Sequence, residues 1–272
     1  MPSPPAVTPI PAEPPARGRL SIHPVSGQRL RADAALQAEL AGLAGPSYED
    51  PSAILAREVA DCTHLYLRRD ADGRLAGFFM VRHELAAAAG GLPLVHLGWS
   101  VCRDDLKGRG ATMALFGRGI RDVQRWERRL GRRALLWSTT ASPTIYLGVA
   151  RHLAEVEPRP DASYSADGAR HAARLRARLG AAAPAAGEHP FAVRAIAAAT
   201  RYSAAERARL ERVCRQRGFG LFARLGIDET RADRLIFIAR TPTALDEALG
   251  RASRLAPVRA AAAAHAEAGR WR

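Results

Sequence analysis

A glycine-punctuated turn between a strand-like segment and a helix-like segment is the feature of this 272-residue sequence that most restricts its fold. Residues 94–102 form an apolar run of strand length, and residues 111–130 carry apolar side chains at helical spacing. Between them, Lys107, the only lysine of the chain, begins the run Lys-Gly-Arg-Gly. A turn of this composition that opens a helix offers free backbone N–H groups and the positive end of the helix dipole. It therefore suits a phosphate-bearing ligand.

Positive charge is concentrated at this turn and in the helix that follows it. The formal net charge of the chain is +14, yet residues 1–100 contain nine basic and ten acidic groups. Residues 101–133 contain ten basic and four acidic groups, a net charge of +6. This local excess favours a bound polyphosphate over a nucleic acid, because the basic residues are not interleaved with aromatic side chains.

The cysteine pattern and the hydropathy pattern exclude several classes of protein. Cys62, Cys102 and Cys214 are widely spaced and odd in number, and the histidines near them show no ligand spacing. We therefore expect neither a disulfide framework nor a metal site. The N-terminus has no apolar signal-peptide region, and no apolar stretch approaches the length of a membrane span. These observations predict a cytoplasmic protein with no membrane partner.

The apolar pattern predicts a single α/β domain over residues 19–241, flanked by two segments of different composition. Residues 1–18 are rich in proline and are expected to be disordered. The Ala- and Arg-rich stretch 158–187 is interpreted as an insertion, with a helix around 170–179. Residues 242–272 are predicted to form a helical or disordered tail.

The predicted elements of the domain begin in the order β-α-α-β-β-β-α-β-α, which is typical of an α/β domain with a mixed sheet. They are a strand at 19–25, helices at 32–45 and 52–62, strands at 63–69, 74–82 and 94–102, a helix at 111–130, a strand at 134–139 and a helix at 142–153. Later strands are predicted at 191–196, 219–224 and 234–240, with a helix at 203–217.

Residues around the turn exclude two other phosphate-binding classes. A dinucleotide-binding fingerprint would need a glycine where Met113 stands and an acidic residue closing the next strand, which ends Ser138-Thr-Thr140. The spacing of a P-loop is absent.

The turn resembles the acetyl-CoA-binding motif of the GNAT superfamily of N-acetyltransferases, Arg/Gln-x-x-Gly-x-Gly/Ala after an apolar strand. Its six positions are Lys107, Gly108, Arg109, Gly110, Ala111 and Thr112, with lysine in place of arginine or glutamine and threonine in place of the last small residue. The resemblance covers about residues 19–154. It implies a GNAT-like αβα layered fold with a mixed, mostly antiparallel sheet of six or seven strands, splayed after the fourth strand.

The same resemblance implies acetyl-CoA as co-substrate and a direct attack by the amine of a small molecule or a protein, without a metal. Backbone groups near Val101 and Cys102 would hold the pantetheine arm. The backbone of Lys107–Thr112 would hold the pyrophosphate. Ser142 stands where the family often has an asparagine, at the start of the helix after the fifth strand. We expect a monomer or a homodimer.

Three residues are candidates for proton transfer in that reaction. The family often places an acidic tyrosine on the helix after the fifth strand, and Tyr146 lies one turn before that position; an ordinary core tyrosine is the competing interpretation. Glu84 and His96 are the candidate bases. Period-two alternation predicts that His96 shares a strand face with Ser100 and Cys102.

Two alternative functions remain open at this stage. A GNAT-fold protein that binds CoA without turning it over is one, because the family's tyrosine is not at its usual position. The other is a nucleic-acid-binding protein that uses the arginine-rich helices at 117–133 and 203–217. No recognised nucleic-acid motif supports the latter, and an arginine-rich helix is usually a solvated face.

Overall fold

The computed structural model describes residues 21–84, 91–197 and 200–243. These residues form a sheet with helices packed against it. The elements are β1 (Ser21–Ser26), α1 (Gly27–Ala32), α2 (Ala34–Ala44), α3 (Pro51–Asp61), β2 (His64–Arg69), β3 (Leu75–Glu84), β4 (Leu94–Cys102), α4 (Ala111–Leu130), β5 (Leu135–Thr140), α5 (Pro143–His152), β6 (Ala154–Glu157), α6 (Ala166–Arg178), β7 (Ala192–Val193), α7 (Ala204–Arg217), α8 (Leu221–Arg224) and β8 (Arg234–Arg240).

The strands follow the order β1-β2-β3-β4-β5-β8-β6 across the sheet. Every neighbouring pair is antiparallel except β4 and β5, which run parallel. The short strands β6 and β7 both pair with β8, and they bring the number of strands in the described residues to eight. The predicted α/β fold with a mixed, mostly antiparallel sheet is thus confirmed, with eight strands where six or seven were expected. The strand predicted at 191–196 contains β7, whereas β6 was not predicted.

Two hydrophobic clusters cover the two faces of the first four strands. Alternate residues of β3 show the division: Phe79 packs in a cluster with α4, whereas Phe78 and Met80 pack in a cluster with α1, α2 and α3. This is the period of two expected for a strand buried on both faces. The glycine turn and α4 therefore lie on one face of the sheet, and α3 lies on the other.

A β-bulge in β4 interrupts that alternation. Phe79 pairs with Ser100 while Val81 pairs with Leu97, so β4 carries one more residue than β3 between these two pairs. Leu97 consequently packs in the α4 cluster, but Trp99 packs in the cluster of α1, α2 and α3. An extra residue in one strand also bends it.

β4 and β5 diverge beyond the short segment over which they pair. They pair only over Leu94–His96 with Leu135–Trp137, and among the described residues the rest of each strand has no partner on that side. A V-shaped cleft opens between them, as the resemblance implied. It points toward the glycine turn that follows β4.

Local chemistry explains where the elements around the cleft begin and end. Asp50 and Ser142 cap α3 and α5 with their side-chain oxygens, and a proline follows each cap at the first helical position. Gly131, at a φ of 64°, ends α4 in the left-handed conformation.

The structure differs from the sequence prediction at residues 219–224. Arg224 and Leu225 donate backbone hydrogen bonds to Gly220 and Leu221, which closes helical turns and makes α8 a short helix instead of a strand. Of the terminal segments, residues 1–20 and 244–272 lie outside the described residues. Among the helices that are described, none is long and apolar enough to cross a membrane.

Candidate active site

Two left-handed glycines shape the turn before α4. Gly108 and Gly110 have φ values of 77° and 78°, a region that L side chains rarely adopt. Gly110 is the N-cap of α4 and supplies no side-chain cap. The N–H groups of Gly110, Ala111 and Thr112 have no acceptor among the residues that the structure describes. These donors stand at the positive end of a 20-residue helix, which is the arrangement that binds an anion.

The space in front of the turn is open. A Cβ placed at Gly108 or at Gly110 would have no heavy atom of the described chain within 4 Å. The backbone amides can therefore be approached closely from outside, and the turn fits a phosphate group.

A cavity of about 920 Å³ runs from this turn between α5 and α7, and we call it the cofactor groove. Its size is that of a cofactor or small-molecule site. The residues that line it include the end of β4 and the turn, together with Ser142, Gly148, Arg151, Arg209 and Arg217. Arg151 and Arg217 have no ion-pair partner among the described residues, so the groove contains free positive charge as well as free amides.

The unpaired edge of β4 forms one wall of the cleft. The N–H of Arg103 donates to Ala76 of β3, so residues alternating with Arg103 direct their backbone groups toward β3. The backbone groups of Ser100 and Cys102 then face the cleft. Val101 and Cys102 both line the cofactor groove, whereas the backbone groups of Val101 face β3.

Four features occur together in the described residues: the strand order, the single parallel pair, the bulged and splayed fourth strand, and the uncapped glycine turn. The chain has the fold of the GNAT superfamily. No protein-family model and no curated protein matches the sequence.

Solved structures with a similar fold include members of this superfamily. A GNAT-family N-acetyltransferase of Escherichia coli, YhbS, in complex with CoA, is 16% identical, with a TM-score of 0.38 over 49% of this chain and 68% of that one. A putative GNAT acetyltransferase of Desulfovibrio desulfuricans is 12% identical, with a TM-score of 0.38 over 82% of this chain and 99% of that one. The toxin AtaT, bound to acetyl-CoA and to the C-terminus of its antitoxin, is 18% identical, with a TM-score of 0.34 over 47% and 79%.

In this GNAT fold, Lys107 binds other parts of the chain. Its ammonium contacts Asp104 at 2.7 Å, the Ser47 hydroxyl at 2.8 Å and Glu206 at 2.9 Å. Three oxygens therefore surround the charge. The turn is tied to the α2–α3 loop and to α7, and the free donors of the turn are its backbone amides.

Thr112 and Ser142 are also held by their neighbours. The Thr112 hydroxyl donates to Cys102 Sγ at 3.3 Å and so connects the first turn of α4 to the end of β4. The larger side chain at this motif position therefore makes a contact that a small residue could not make. The Ser142 hydroxyl accepts the N–H of Ile145 as the α5 cap and shares a hydrogen bond with Thr144. Both residues line the cofactor groove.

Two distant segments cross the open end of the cleft, and we call residues 46–49 with residues 200–203 the clasp. The N–H of Ser203 donates to the Ser47 carbonyl, and the N–H of Glu49 donates to the Arg201 carbonyl, both at 3.0 Å. The rings of Tyr48 and Tyr202 pack with centroids 5.1 Å apart. The clasp therefore places two phenols across the splay of β4 and β5.

A second cavity, of about 440 Å³, lies on the other side of the clasp, and we call it the inner cavity. It contains residues of both splayed strands, including His96, Trp99 and Trp137. The wall that it shares with the cofactor groove consists of Tyr48, Ser100, Thr112, Met113, Ile145 and Tyr202. The two cavities therefore meet at the splay.

Glu58 of α3 reaches the bulge from the inner-cavity side. Its Oε2 lies 3.0 Å from the position that a Cβ would take at Gly98, so a larger residue in the bulge would require the carboxylate to shift. Its Oε1 accepts from Arg57 at 3.0 Å. The Glu58 side chain is 15% exposed, whereas that of Arg57 is 54% exposed, so the pairing is a surface one on the arginine side.

His96 lies in the inner cavity, but not on the predicted face. Because the bulge shifts the alternation by one residue, His96 falls on the face opposite to Ser100 and Cys102, which corrects the period-two prediction. Its ring packs against Trp137 with centroids 4.3 Å apart. Burial is the main cause that lowers the pKa of His96 to about 3, so the imidazole is neutral.

Tyr146 lies in the core and away from both cavities described here. Its side chain is fully buried, its ring packs against Phe219, and its hydroxyl donates to the Pro158 carbonyl. A donor held in this way has no path to a group in the cleft. The geometry thus favours the structural interpretation of Tyr146 over the catalytic one.

Glu84 lies at the end of β3 and is held between two arginines. Its carboxylate contacts Arg82 at 2.6 Å and Arg178 at 2.5 Å. Within the described chain it lines neither cavity. Both oxygens are occupied, so Glu84 is poorly suited to accept a proton from a substrate.

The sequence reasoning missed Tyr48, Tyr202, Glu58 and Ser100 as residues of the cleft. Ser100 could have been found, since it precedes the motif on the same strand. The other three come from α3 and the clasp, which no local pattern connects to the turn.

Proposed function

We propose that this protein transfers an acyl group from acyl-CoA, with acetyl-CoA as the expected donor, to a primary amine. The observation that carries the proposal is the meeting of two cavities at the splay of β4 and β5. One cavity ends at an anion-binding turn, and the other ends at a carboxylate and an aromatic wall. A donor and an acceptor in separate cavities can react directly only at such a shared wall.

The donor fits the cofactor groove by the chemistry of its lining. The amides of Gly110, Ala111 and Thr112 would hold the pyrophosphate, and Arg151 and Arg217 add positive charge further along the groove. The free backbone edge of β4 at Ser100 and Cys102 offers amide groups to a pantetheine arm. Bound there, acyl-CoA supplies an activated thioester carbonyl.

Glu58 is the proposed proton acceptor for the amine. It is the carboxylate that faces the bulge of β4, and its Oε2 makes no hydrogen bond or ion pair with the described residues. An amine in the inner cavity must lose a proton before it attacks, and a nearby carboxylate can take that proton directly or through a water molecule.

Tyr48 and Tyr202 are the proposed proton donors at the shared wall, in the role for which Tyr146 was considered. Burial is the main cause that raises the pKa of each phenol, and each lies close to the other. Both hydroxyls are protonated at neutral pH, and the raised pKa values favour hydrogen-bond donation over loss of the proton. A protonated phenol can stabilise the oxyanion or protonate the departing thiolate.

Two measurements test the proposal. Thermal unfolding with and without acetyl-CoA should show a higher midpoint in its presence, because a ligand bound by the native state stabilises that state. Release of free CoA thiol should then follow when primary amines are added. No stabilisation at millimolar acetyl-CoA would contradict the donor site, and stabilisation without turnover of any amine would favour a CoA-binding protein that lacks activity.

A further inference from the structure

Opposite charges alternate around one end of the inner cavity. Three arginines and two carboxylates line the cavity there: Arg57, Arg82, Arg178, Glu58 and Asp61. Arg82 pairs with Asp61 and with Glu84, so it has two carboxylate partners. Arg57 and Arg178 each pair with a single carboxylate and are 54% and 42% exposed. Their remaining N–H groups are available to a ligand.

At the narrow end of this cavity, the charges of the arginines act more strongly on His96 than the carboxylate charge does. Burial is the largest cause of the lowered pKa of His96. The charges of Arg82, Arg57 and Arg178 lower it further, and Asp61 opposes them more weakly. The charges of three arginines therefore act together on His96, which is the last residue of β4 that pairs with β5. An anionic group of a ligand would be stabilised at this level.

An unpaired hydrogen-bond donor lies at the same level. Trp137 of β5 stands opposite His96 in the parallel pair and is 1% exposed. Its indole N–H has no hydrogen-bond partner in the part of the chain that the structure describes. A buried donor without an acceptor is costly, and a ligand oxygen would satisfy it.

The charges near β4 change from positive to negative along the strand, in the direction of the site proposed for the thioester of acyl-CoA. The positive end lies at His96, Glu58 faces Gly98, and the wall shared with the cofactor groove begins at Ser100. Successive residues of a strand are about 3.3 Å apart, so the positive end and Glu58 lie within about 7 Å along the strand. A small zwitterion can bridge that distance, because the long arginine side chains cover part of it.

We propose that the acceptor is an amino acid: a primary amine that also carries a carboxylate, bound with the carboxylate toward Arg57, Arg178 and Trp137 and with the amine toward Glu58. The aromatic lining, which includes Trp99 and Phe116, suits a nonpolar side chain. This inference rests on the proposed acyl transfer and names the acceptor class of the same site. In the transfer step, the amine nitrogen forms a bond to the acyl carbon, the carbon–sulfur bond breaks, CoA leaves as the thiolate, and Glu58 receives the proton that the nitrogen loses.

Matched pairs of acceptors test the inference. Initial rates of CoA thiol release would be measured with acetyl-CoA and L-leucine, L-phenylalanine or their decarboxylated counterparts, with rates expressed per neutral amine. We expect kcat/KM to be at least about 10-fold higher for the amino acids, since a site built for a charged group rejects the analogue that lacks it. Equal or better turnover of the decarboxylated amines would overturn the inference while leaving acyl transfer intact.

A double variant locates the carboxylate. Arg57→Gln with Arg178→Gln should remove most of the preference, to within about threefold, because the charge-assisted hydrogen bonds are lost. Arg174→Gln is the matched control, since Arg174 is an exposed arginine one turn earlier on α6 that does not line the inner cavity. An unchanged preference in the double variant would also overturn the inference.

A binding measurement separates this inference from the proposed function. If no amine is turned over, L-leucine would be titrated calorimetrically into the CoA-saturated protein beside its decarboxylated counterpart. Tighter binding of L-leucine, lost in the double variant, would retain the amino-acid site and reject catalysis. Equal binding, or none, would reject the amino-acid site.

Discussion

Replacement of Gly110 by glutamate tests the anion-binding turn most directly. Gly110 has a φ of 78°, and a Cβ there meets no atom of the described chain, so the structural cost is backbone strain without a clash. A left-handed L residue costs about 1–2 kcal/mol. For a domain of this size, that strain lowers the midpoint of thermal unfolding by about 2–8 °C.

The effect of Gly110→Glu on binding should be much larger than its effect on stability. The new carboxylate stands at the N-terminus of α4, where it competes for the amides of Gly110, Ala111 and Thr112 and repels a phosphate. A hydrogen bond to a charged group contributes about 1.5–3 kcal/mol. Loss of two such bonds lowers the affinity for CoA by more than about 100-fold.

Gly110→Ala is the matched control, because it carries the same backbone strain without the charge. Calorimetric titration of CoA into both variants, with circular dichroism and thermal unfolding for folding, separates strain from occupation of the site. We expect the alanine variant to lose less than about tenfold in affinity. A folded glutamate variant that binds CoA within threefold of the unsubstituted protein would refute the assignment of the turn.

Four further predictions follow from the site. Glu58→Gln should lower kcat by about 10²–10⁴-fold without unfolding the protein, as measured by thiol release; a larger loss for Glu84→Gln would contradict this assignment. Tyr48→Phe should reduce kcat more than Tyr146→Phe does, whereas the latter should mainly lower the unfolding midpoint. Lys107→Met should destabilise the fold by about 1–3 kcal/mol in urea titrations, because the buried Ser47 hydroxyl loses its partner and the ion pair with Glu206 is lost, and Lys107→Arg should be milder; an unchanged midpoint for Lys107→Met would argue against its linking role. Since the folded-state pKa of His96 is about 3, its contribution to stability is complete above pH 6.5 and is lost as the pH falls, by about 2 kcal/mol at pH 5; urea titrations of His96→Gln should show a flatter dependence on pH.

The parts of the site that depend on adjacent residues could be predicted from the sequence. The glycine turn, the long helix after it and the Ser142-Pro143 start of α5 each follow from local backbone preferences. The order of the first strands and helices also follows from local hydrophobic periods. These features were enough to predict the splayed cleft through the family resemblance.

The parts that depend on distant residues could not be predicted. The bulge that moves His96 to the other face sits where Glu58 of α3 packs against Gly98, a contact between separate elements. The hydroxyl of Tyr146 finds its acceptor at Pro158, beyond the next strand. Tyr48 and Tyr202 pair across more than half of the chain, and neither segment has a pattern that indicates the other.

The environment of Lys107 explains how the turn can bind an anion although its lysine does not face one. Because Asp104, Ser47 and Glu206 surround the ammonium, its charge is neutralised within the protein. Anion recognition then depends on the backbone amides. Two kinds of substitution would disturb them: one that fills the space in front of the amides, and one that replaces a left-handed glycine. The contacts with Ser47 and Glu206 join the turn to the clasp and to α7, so the anion site and the shared wall belong to one connected structure. Lys107 thus sets the position of the clasp relative to the turn, which is why its loss should affect stability more than the affinity of the turn for an anion.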